Sequence, residues 1–393
     1  MNEREAKEKV VNAGKRLVES GLIARTWGNV SCRISDSHFV VTPSGRDYLT
    51  LTPEEIVTVS IVDLSYFGNI KPSSEKGIHA EVYKHNSDIN FVIHTHQKNA
   101  SIVSAIGLNS IITDFVILGG EVICASYALP GTKKLRNNVS KALRYSKGNA
   151  VIMKNHGAIC FGKDDEEAFK VASVLEDACD DYIVKQYKKV SHEENFYPDR
   201  MRQFALKRIT NQDILDYKLT VPCVKSERTA DGFIFHIEDK EPVYIKFEEN
   251  TSLLSEYANI HNEIYLKHKN INNIIHTCLP DIITISKANR TIYPMVDDFA
   301  QIVGTKVKNA LNNPTDISNA LNNSSAVIIK DNGALCCAAS EEDASAIEMI
   351  LDKNCKIVIC STLFTDVEPL SKLDSMLMRF VYMKKYSKQM TNK

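Results

Sequence analysis

The sequence predicts a mixed α/β protein built from two similar domains. At 393 residues the chain is too long for one typical core and comfortable as two. Short apolar runs bounded by turn residues alternate with stretches of helical periodicity, so strand, turn and helix recur along the chain. The second half also repeats the first, since residues 260–281 match residues 78–99 at nine of 22 positions and residues 326–345 match residues 150–169 at nine of 20. Both matches run in the same order, which indicates a duplicated domain rather than a short solenoid repeat.

The composition excludes several classes of partner. Lysine and arginine (48) nearly balance aspartate and glutamate (49), so there is no basic field to bind nucleic acid. No apolar run approaches the roughly 20 residues that a helix needs to cross a bilayer, so we expect no membrane role. The chain begins MNEREAKEKV, without an apolar signal segment, and its ten cysteines form no CxxC pair. We therefore expect a reducing, cytoplasmic location in which the cysteines are buried thiols.

The first 90 residues are expected to alternate helices with short strands. Apolar positions recur at helical spacing over residues 3–20, and Gly21 follows as a stop signal. The segments GNVSCRI and HFVVTPSGR have the composition of strands between turns. In LTPEEIV, Thr52 can cap a short helix, with Glu55 completing a capping box. A further helix is predicted over residues 76–86.

Two apolar runs end in histidines. The run FVIHTHQKNA, residues 91–100, places His94 and His96 on one face at one strand end, because side chains alternate along a strand. The run NAVIMK is followed by an Asn-His-Gly turn that contains His156, and a capped helix is predicted from near Asp164.

These three histidines form a candidate metal site. Catalytic zinc sites typically use three protein ligands and keep a fourth position open, and His94, His96 and His156 can supply the three. A lone histidine is usually a satisfied structural residue. We interpret the histidines of the two matching helical segments in that way: His79, His85 and His261.

The second copy supports this interpretation. It retains a counterpart of the first ligand, His276, but has Cys278 and Asn332 where the other two histidines stand. A copy that keeps the apolar pattern and loses two of three candidate ligands indicates that those ligands are separable from folding. We therefore expect no catalytic metal in the second copy.

Three turns of small residues form a second constellation. Glycine allows a close backbone approach, and serine or asparagine adds short donors, so together they can bind a phosphate without a large charge. Each turn taken singly is an ordinary turn, and their joint value depends on being brought together in space. The turns are Gly28-Asn29, Ser44-Gly45 and Ser73-Ser74.

The chain resembles the class II aldolase/adducin family, most closely its L-fuculose-1-phosphate aldolase branch. The resemblance lies in successive signatures over about residues 5–185, and it extends more weakly into the second half. These signatures are GLIARTWGNVSCR, VTPSGRDYLTLTPEEIV, KPSSEKGIHAEVY, NFVIHTHQKNASIVSA and VIMKNHGAICFGKDDEEAF.

The resemblance implies a class II aldolase-like α/β/α sandwich with a central, mainly antiparallel sheet, in two tandem copies. We place a metal-binding catalytic domain at residues 1–205 and a degenerate domain without the metal site at residues 210–393. The boundary falls in the polar segment around residues 186–222, which has little periodicity. The family assembles as a four-fold ring, so we expect a homo-oligomer, either a dimer that mimics the ring or a tetramer.

The resemblance also assigns roles. It implies one Zn²⁺ per chain, held by His94, His96, His156 and Glu75, with Glu75 serving as the catalytic base once substrate displaces it. The implied phosphate-binding residues are the six turn residues Gly28, Asn29, Ser44, Gly45, Ser73 and Ser74. One departure concerns the tyrosine that protonates the aldehyde side in the aldolases. Its nearest counterpart is Phe115, and the neighbouring Tyr127 matches a different tyrosine of the family.

The implied reaction is the cleavage of a ketose 1-phosphate to dihydroxyacetone phosphate and an aldehyde. Two alternatives use the same scaffold, namely a ribulose-phosphate 4-epimerase and a methylthioribulose-phosphate dehydratase. The epimerase typically has an aspartate at the position of Glu75. A third alternative is a non-enzymatic, adducin-like interaction module, which the degenerate second half favours but the complete ligand set of the first half does not.

Overall fold

The first half of the chain follows the predicted alternation of helices and short strands. The computed structural model describes residues 2–23, 27–213, 223–247, 255–322 and 324–390. It divides the chain into two units, residues 1–186 and 187–393. In chain order the first unit contains α1 (Glu3–Glu19), β1 (Asn29–Arg33), β2 (His38–Val41), β3 (Val57–Ser60), α2 (Lys76–His85), β4 (Phe91–Thr95), α3 (Lys98–Ala105), β5 (Ser110–Ile112), β6 (Glu121–Ala125), α4 (Lys133–Tyr145), β7 (Ala150–Met153), β8 (Gly157–Gly162) and α5 (Asp165–Ser191).

The strands of the first unit form one sheet in the order β3-β2-β1-β4-β8-β7-β6-β5. Its neighbours pair antiparallel except for β6 and β7, which are parallel. Strand β4 lies in the middle of the sheet, between β1 and β8. The expected mainly antiparallel α/β architecture is therefore confirmed.

Helices cover both faces of this sheet. Because side chains alternate, Ile93 of β4 packs on the face covered by α1, α3 and α5, whereas Val92 packs on the face covered by α2 and α4. His94 follows the same alternation and so lies on the α2 side. The three layers form the expected sandwich.

The second unit repeats this topology. Its sheet has the order β11-β10-β9-β12-β15-β14-β13, and β13 with β14 is again the parallel pair. Helices α7 and α9 pack together on one face, and α8 and α10 pack against the strands and each other. The described elements are α6 (Pro198–Thr210), β9 (Val224–Arg228), β10 (Gly232–Ile237), β11 (Val243–Lys246), α7 (Glu256–Lys267), β12 (Asn273–Thr277), α8 (Pro280–Lys287), a π-helical turn (Phe299–Val303), β13 (Asn309–Ala310), α9 (Pro314–Ala320), β14 (Ala326–Ile329), β15 (Ala334–Ala338), α10 (Glu341–Ser361) and α11 (Lys372–Met390).

Local signals in the sequence predicted several boundaries well. Helix α1 ends at Glu19, and Gly21 adopts the left-handed conformation (φ 68°) that a stop signal requires. The Thr52 backbone N–H donates to the Glu55 carboxylate at 3.2 Å, as a capping box predicts, although the helix is a single 3₁₀ turn, Pro53–Glu55. No helix among the described residues is long and apolar enough to span a bilayer.

The segment proposed as the domain boundary is more regular than its polarity suggested. Helix α6 lies inside it and buries Met201, Ala205 and Leu206. These apolar residues are spaced by about one helical turn, but the surrounding charged residues obscure the pattern. Residues 214–222 of the segment lie outside the described residues.

The expectation that the cysteines are buried thiols is wrong for two of them. Cys223 and Cys278 form a disulfide with a Cα–Cα distance of 6.0 Å. They are 55 residues apart, and they meet because β9 pairs with β12. The other eight cysteines are buried thiols, as expected.

Each unit has an arginine at an equivalent position that bonds the carbonyl groups at the end of a helix. The Arg33 side chain donates to the carbonyls of Tyr83, Asn86 and Ile89, which close the end of α2 and the turn into β4. Its guanidinium also lies 4.8 Å from the centre of the Tyr83 ring. A helix end leaves carbonyl groups without intrahelical partners, so this side chain satisfies groups that would otherwise lose hydrogen bonds.

Arg228 makes the same contacts in the second unit. It donates to the carbonyls of Tyr265, His268 and Ile271 and stacks on the Tyr265 ring at 4.7 Å. The contact recurs in a copy that lacks most candidate ligands, so it belongs to the fold rather than to the site.

We predict that Arg33→Met destabilises the first unit by about 2–4 kcal/mol, because three carbonyls lose a charged donor. The chain contains a single tryptophan, Trp27, which lies in the first unit. Urea unfolding followed by its fluorescence therefore reports on that unit. Arg4→Met is the control, since Arg4 is exposed and only pairs with Glu8 one helical turn away. Equal midpoints for the two variants would contradict the assignment.

Candidate metal centre

The first two histidines are positioned by the central strand. His94 is paired with Asn29 of β1 and Ile159 of β8, so strands on both sides fix its backbone. His96 lies just past the last residue of β4 and remains on the same face, with its ring centre 4.7 Å from that of His94. Both side chains are almost fully buried. The predicted pair thus faces one point.

The third histidine is delivered by the turn between β7 and β8. Asn155 adopts a left-handed conformation (φ 55°), and the His156 N–H donates to the Met153 carbonyl. Gly157 is required at the next position, since a Cβ there would lie 2.2 Å from the Thr95 carbonyl oxygen. The close approach of β8 to the end of β4 therefore brings the His156 ring to 4.7 Å from His94.

Glu75 closes the fourth side of the cluster. It precedes the first residue of α2, and its backbone N–H donates to the Ser73 hydroxyl at 3.2 Å. Its side chain is buried, with Oε2 3.3 Å from His94 Nε2 and Oε1 3.0 Å from His156 Nε2. The Nε2 atoms of His94 and His96 are 3.0 Å apart.

These distances fit a metal ion. Four donors about 2.0–2.1 Å from a zinc ion at tetrahedral angles lie about 3.3 Å from one another, close to the observed separations. Within the described residues, Glu75 Oε1 accepts no hydrogen bond, although it is buried and close to an imidazole nitrogen. The four donors therefore converge on a common point. The structure supports a metal site formed by His94, His96 and His156.

Protonation favours the same conclusion. His94 Nδ1 donates to the Ala158 carbonyl at 2.9 Å, which leaves the Nε2 lone pair facing the cluster. Burial holds the pKa of His94 well below its ordinary value, so the ring is neutral at pH 7. For Glu75, burial alone would raise the pKa, but the neighbouring His156 and His94 outweigh it and hold the pKa well below its ordinary value. A neutral imidazole and a carboxylate are the forms that bind metal.

A chain of hydrogen bonds orients the Glu75 carboxylate. The Asn29 side-chain amide donates through Nδ2 to Glu75 Oε2 at 3.2 Å, and His79 Nε2 in turn donates to Asn29 Oδ1. His79 Nδ1 bonds the Ser31 hydroxyl at 2.7 Å, and Ser31 also contacts Tyr83. Burial lowers the pKa of His79 to about 4, so it stays neutral. His79, interpreted from sequence as structural, thus also orients the carboxylate.

The three small-residue turns lie beside the cluster. Thr42 links them, because its N–H donates to the Val30 carbonyl next to Asn29, and its carbonyl accepts from the Ser73 N–H. Ser44 donates to the Lys71 carbonyl, so the second and third turns lie side by side. Asn29 and Ser73 are buried, whereas Gly45 and Ser74 are exposed. The arrangement leaves one edge of the cluster lined by short donors.

Gly28 and Tyr48 complete this edge. A Cβ on Gly28 (φ 132°) would lie 2.6 Å from the His94 carbonyl oxygen, so only glycine lets β1 begin here. The buried Tyr48 hydroxyl donates to the Gly28 carbonyl at 2.6 Å. Sequence reasoning gave Tyr48 no role, since nothing in its local pattern distinguishes it from a core tyrosine.

A cavity of about 240 Å³ opens next to Glu75. Ser74 and Glu75 line it on one side, and Gly131 and Thr132 before α4 line the other. Lys76, Lys133 and Arg136 add positive charge to its wall. None of these three cations stood out in the sequence, since they belong to two helices that are distant along the chain.

Phe115 and Tyr127 lie at the two positions that the resemblance compares with tyrosines of the family. Phe115 is partly buried and packs against the core on the α1 and α5 face. Tyr127 is half-buried, and its carbonyl accepts from the Asn138 amide.

The second unit retains the frame of the site but has different side chains at most of its positions. Ser226, His261 and Tyr265 repeat the hydrogen-bonded trio of Ser31, His79 and Tyr83. Within the described residues, His261 Nε2 has no partner, because the counterpart of Asn29 is apolar. The residues at the equivalent positions are Val224 for Asn29, Tyr257 for Glu75, His276 for His94, Cys278 for His96 and Asn332 for His156.

Comparisons with known proteins agree with these observations. The family described as Class II Aldolase and Adducin N-terminal domain matches residues 8–183 and 223–359. A 5-deoxy-D-ribulose 1-phosphate aldolase of Bacillus thuringiensis serovar kurstaki is 31% identical over 204 residues, 51% of this chain and 94% of that protein. A 5-methylthioribulose-1-phosphate/5-deoxyribulose-1-phosphate aldolase of Escherichia coli O45:K1 is 36% identical over 180 residues, 45% of this chain and 82% of that protein. An L-fuculose phosphate aldolase of Methanococcus maripaludis is 32% identical over 178 residues, 44% of this chain and 93% of that protein.

We predict one divalent metal ion per chain. His96→Ala should abolish stoichiometric binding, since the set of three imidazoles and one carboxylate loses an imidazole. His276→Ala is the matched control, because it removes the equivalent strand-end histidine of the second unit and should leave one ion per chain. Elemental analysis of the dialysed proteins measures the ratio. Two ions per chain in the wild type, or loss in His276→Ala, would contradict the assignment.

A second pair of variants separates the role of His79 in orienting Glu75 from its contribution to folding stability. His79→Phe and His261→Phe each remove a buried partner of a serine hydroxyl, so each should cost about 1–3 kcal/mol of stability. Metal affinity should fall about 10–100-fold in His79→Phe alone, because only that histidine supports a metal-facing carboxylate. Competition with a chromophoric chelator measures the affinity. Unchanged affinity in His79→Phe would leave it a purely structural residue.

Proposed function

We propose that this chain, which belongs to the class II aldolase and adducin family, is a metal-dependent aldolase that cleaves a ketose 1-phosphate to dihydroxyacetone phosphate and an aldehyde. The observation that carries the proposal is the convergence of three imidazoles and a carboxylate beside the small-residue turns. An adducin-like interaction module would not need buried imidazoles and a carboxylate that converge on one point.

The relatives support the substrate class. Two are named as aldolases of 5-deoxyribulose 1-phosphates and one as an aldolase of L-fuculose phosphate. These names share a phosphorylated sugar and carbon–carbon cleavage, but they differ in the aldehyde that is released. A ketose 1-phosphate is therefore the class we propose, with an L-fuculose-1-phosphate-like sugar as one member of it.

The metal we propose is one Zn²⁺ per chain, since zinc commonly binds a set of imidazoles with one carboxylate. His94, His96, His156 and Glu75 would hold it. When bound, zinc supplies Lewis-acid chemistry, which polarises the ketose oxygens and offsets the negative charge that develops as the carbon–carbon bond breaks.

Glu75 is the proposed base. Its Oε2 atom is anchored by Asn29, whereas Oε1 accepts no hydrogen bond within the described residues. The carboxylate can thus take a proton on Oε1 without losing the contact that orients it. Burial would raise the pKa of Glu75, but His156 and His94 outweigh it and hold the pKa well below its ordinary value, so the carboxylate is ionised and able to accept a proton.

The six turn residues are the proposed phosphate site. Their serine, asparagine and glycine groups offer short neutral donors along one edge of the cluster, and Lys76 lines the adjacent cavity. Binding energy at a phosphate there would orient the reacting carbons relative to the cluster. The donor set is Gly28, Asn29, Ser44, Gly45, Ser73 and Ser74.

We also propose that only the first copy catalyses the reaction. The catalytic domain would comprise residues 1–205 and the degenerate domain residues 210–393. The second copy lacks the carboxylate and two of the imidazoles. A cytoplasmic homo-oligomer, dimeric or tetrameric, completes the proposal.

The reaction can be tested in the synthetic direction. The zinc-loaded protein, incubated with dihydroxyacetone phosphate and a panel of aldehydes, should form a ketose 1-phosphate that mass spectrometry detects. Chelator should abolish the product. We expect Glu75→Gln to lower kcat by about 10²–10⁴-fold, because the general base is lost. His276→Ala should retain wild-type rates.

The same preparations distinguish the alternatives. Epimerisation of ribulose 5-phosphate, or dehydration of methylthioribulose 1-phosphate, without aldol product would replace the aldolase assignment. Absence of turnover in all three assays by protein with one bound zinc would favour the interaction module.

A further inference from the structure

The second unit has a covalent bond where the first has a metal-ligand position. Cys278 is the counterpart of His96, and Cys223, which precedes β9, is the counterpart of Gly28. The two sulfurs are bonded, with the Cα atoms 6.0 Å apart. Two positions that border the candidate site in one copy thus form a disulfide in the other.

The neighbouring positions of the second unit also have side chains and contacts that differ from those of the first unit. Tyr257 takes the place of Glu75, packs its ring 5.0 Å from His276, and contacts Asn332 through its hydroxyl. His276 Nε2 donates to the Asn332 backbone carbonyl. The imidazole that points to the cluster in the first copy is therefore committed to a backbone hydrogen bond here.

The pair also differs from the other cysteines of the chain. Cys223 is exposed and Cys278 is half-buried. The other eight are buried, and burial raises the pKa of Cys32 to about 11 and that of Cys124 to about 12. A buried thiol with a raised pKa reacts slowly because little thiolate is present. Small redox reagents therefore have selective access to one pair.

We infer that Cys223 and Cys278 are a redox modification site, whose dithiol and disulfide forms interconvert by exchange with a low-molecular-weight disulfide such as oxidised glutathione. Exposed disulfides that small thiols can reach are the exchangeable kind, in contrast to buried structural ones. The inference concerns the second unit and does not depend on the proposed aldolase activity.

The exchange balances in two steps. The Cys223 thiolate attacks one sulfur of the reagent, which forms a mixed disulfide and releases one small thiolate. The Cys278 thiolate then attacks the Cys223 sulfur, which forms the intramolecular bond and releases the second small thiolate. The protein loses two electrons and two thiol protons, and one reagent disulfide becomes two thiols.

The bond cross-links the start of β9 to the segment after β12. In the first unit, metal ligation would connect the end of β4 to His156 and Glu75. Each copy would thus have a cross-link at this edge of the sheet, a metal ion in the first and a disulfide in the second. Reduction should remove the cross-link in the second unit, so the backbone hydrogen bonds at the paired ends of β9 and β12 should open more often. Hydrogen exchange reports such local opening.

Differential alkylation tests the site. The full-length native protein is equilibrated at a series of reduced to oxidised glutathione ratios, quenched in acid and alkylated, and the peptides are identified by mass spectrometry. We expect a linked peptide pair that contains Cys223 and Cys278 in oxidising buffer, and two alkylated thiols in reducing buffer. The other eight cysteines should stay unlabelled until the protein is unfolded.

Three outcomes would overturn the inference. The pair stays alkylated at every ratio, the disulfide resists native reduction, or the sulfurs link to other cysteines or other chains. Hydrogen exchange supplies a second measurement. Reduction, or the variant Cys223→Ser, should raise exchange at least several-fold in peptides covering residues 224–228 and 273–277. The equivalent peptides of the first unit, residues 29–33 and 91–95, are the internal control and should not change.

Discussion

The close approach of two strands at a glycine determines where the site lies. In the first unit a Cβ on Gly157 would meet the Thr95 carbonyl oxygen at 2.2 Å, and in the second a Cβ on Gly333 would meet the Thr277 carbonyl oxygen at the same distance. The glycine lets the hairpin cross the end of the central strand. The residue before it is then held over the strand end, whatever its side chain. In one copy that residue is His156 and in the other Asn332, so the backbone defines the position and the side chain defines the chemistry.

The two copies separate contacts that fold the domain from contacts that do chemistry. The arginine that closes the helix end and the Ser-His-Tyr trio occur in both units, with nearly the same partners. Asn29 and Glu75 occur only in the first. The trio alone is therefore a packing element, and it acquires a second use where Asn29 connects it to a carboxylate. The histidine is therefore a structural residue in the second unit, whereas the equivalent histidine of the first unit also orients the Glu75 carboxylate.

Much of the fold and part of the site could be predicted from local pattern. His94 and His96 were identified because strand periodicity places alternate residues on one face, and Gly21 because it follows a helical stripe. What local pattern could not give depends on tertiary pairing. The bond between His79 and Asn29 joins residues 50 apart, and the disulfide joins residues 55 apart. Helix α6 was missed for another reason, because its few apolar positions lie among many charges.

The two copies also differ in the buried charge at the equivalent positions. A buried carboxylate costs free energy unless a cation or a strong set of donors compensates it. In the first unit one oxygen of Glu75 is anchored by a hydrogen bond, and the other accepts none within the described residues. A bound cation would therefore stabilise the folded domain, in addition to any role in the proposed reaction. In the second unit a phenol, Tyr257, takes the place of the carboxylate, and burial lowers the pKa of His276 to about 4, so that ring is also neutral. No buried anion at these positions needs compensation there. The second unit thus has neither a buried carboxylate at this position nor its potential to hold a metal, and Cys278, at the position of His96, forms a disulfide instead.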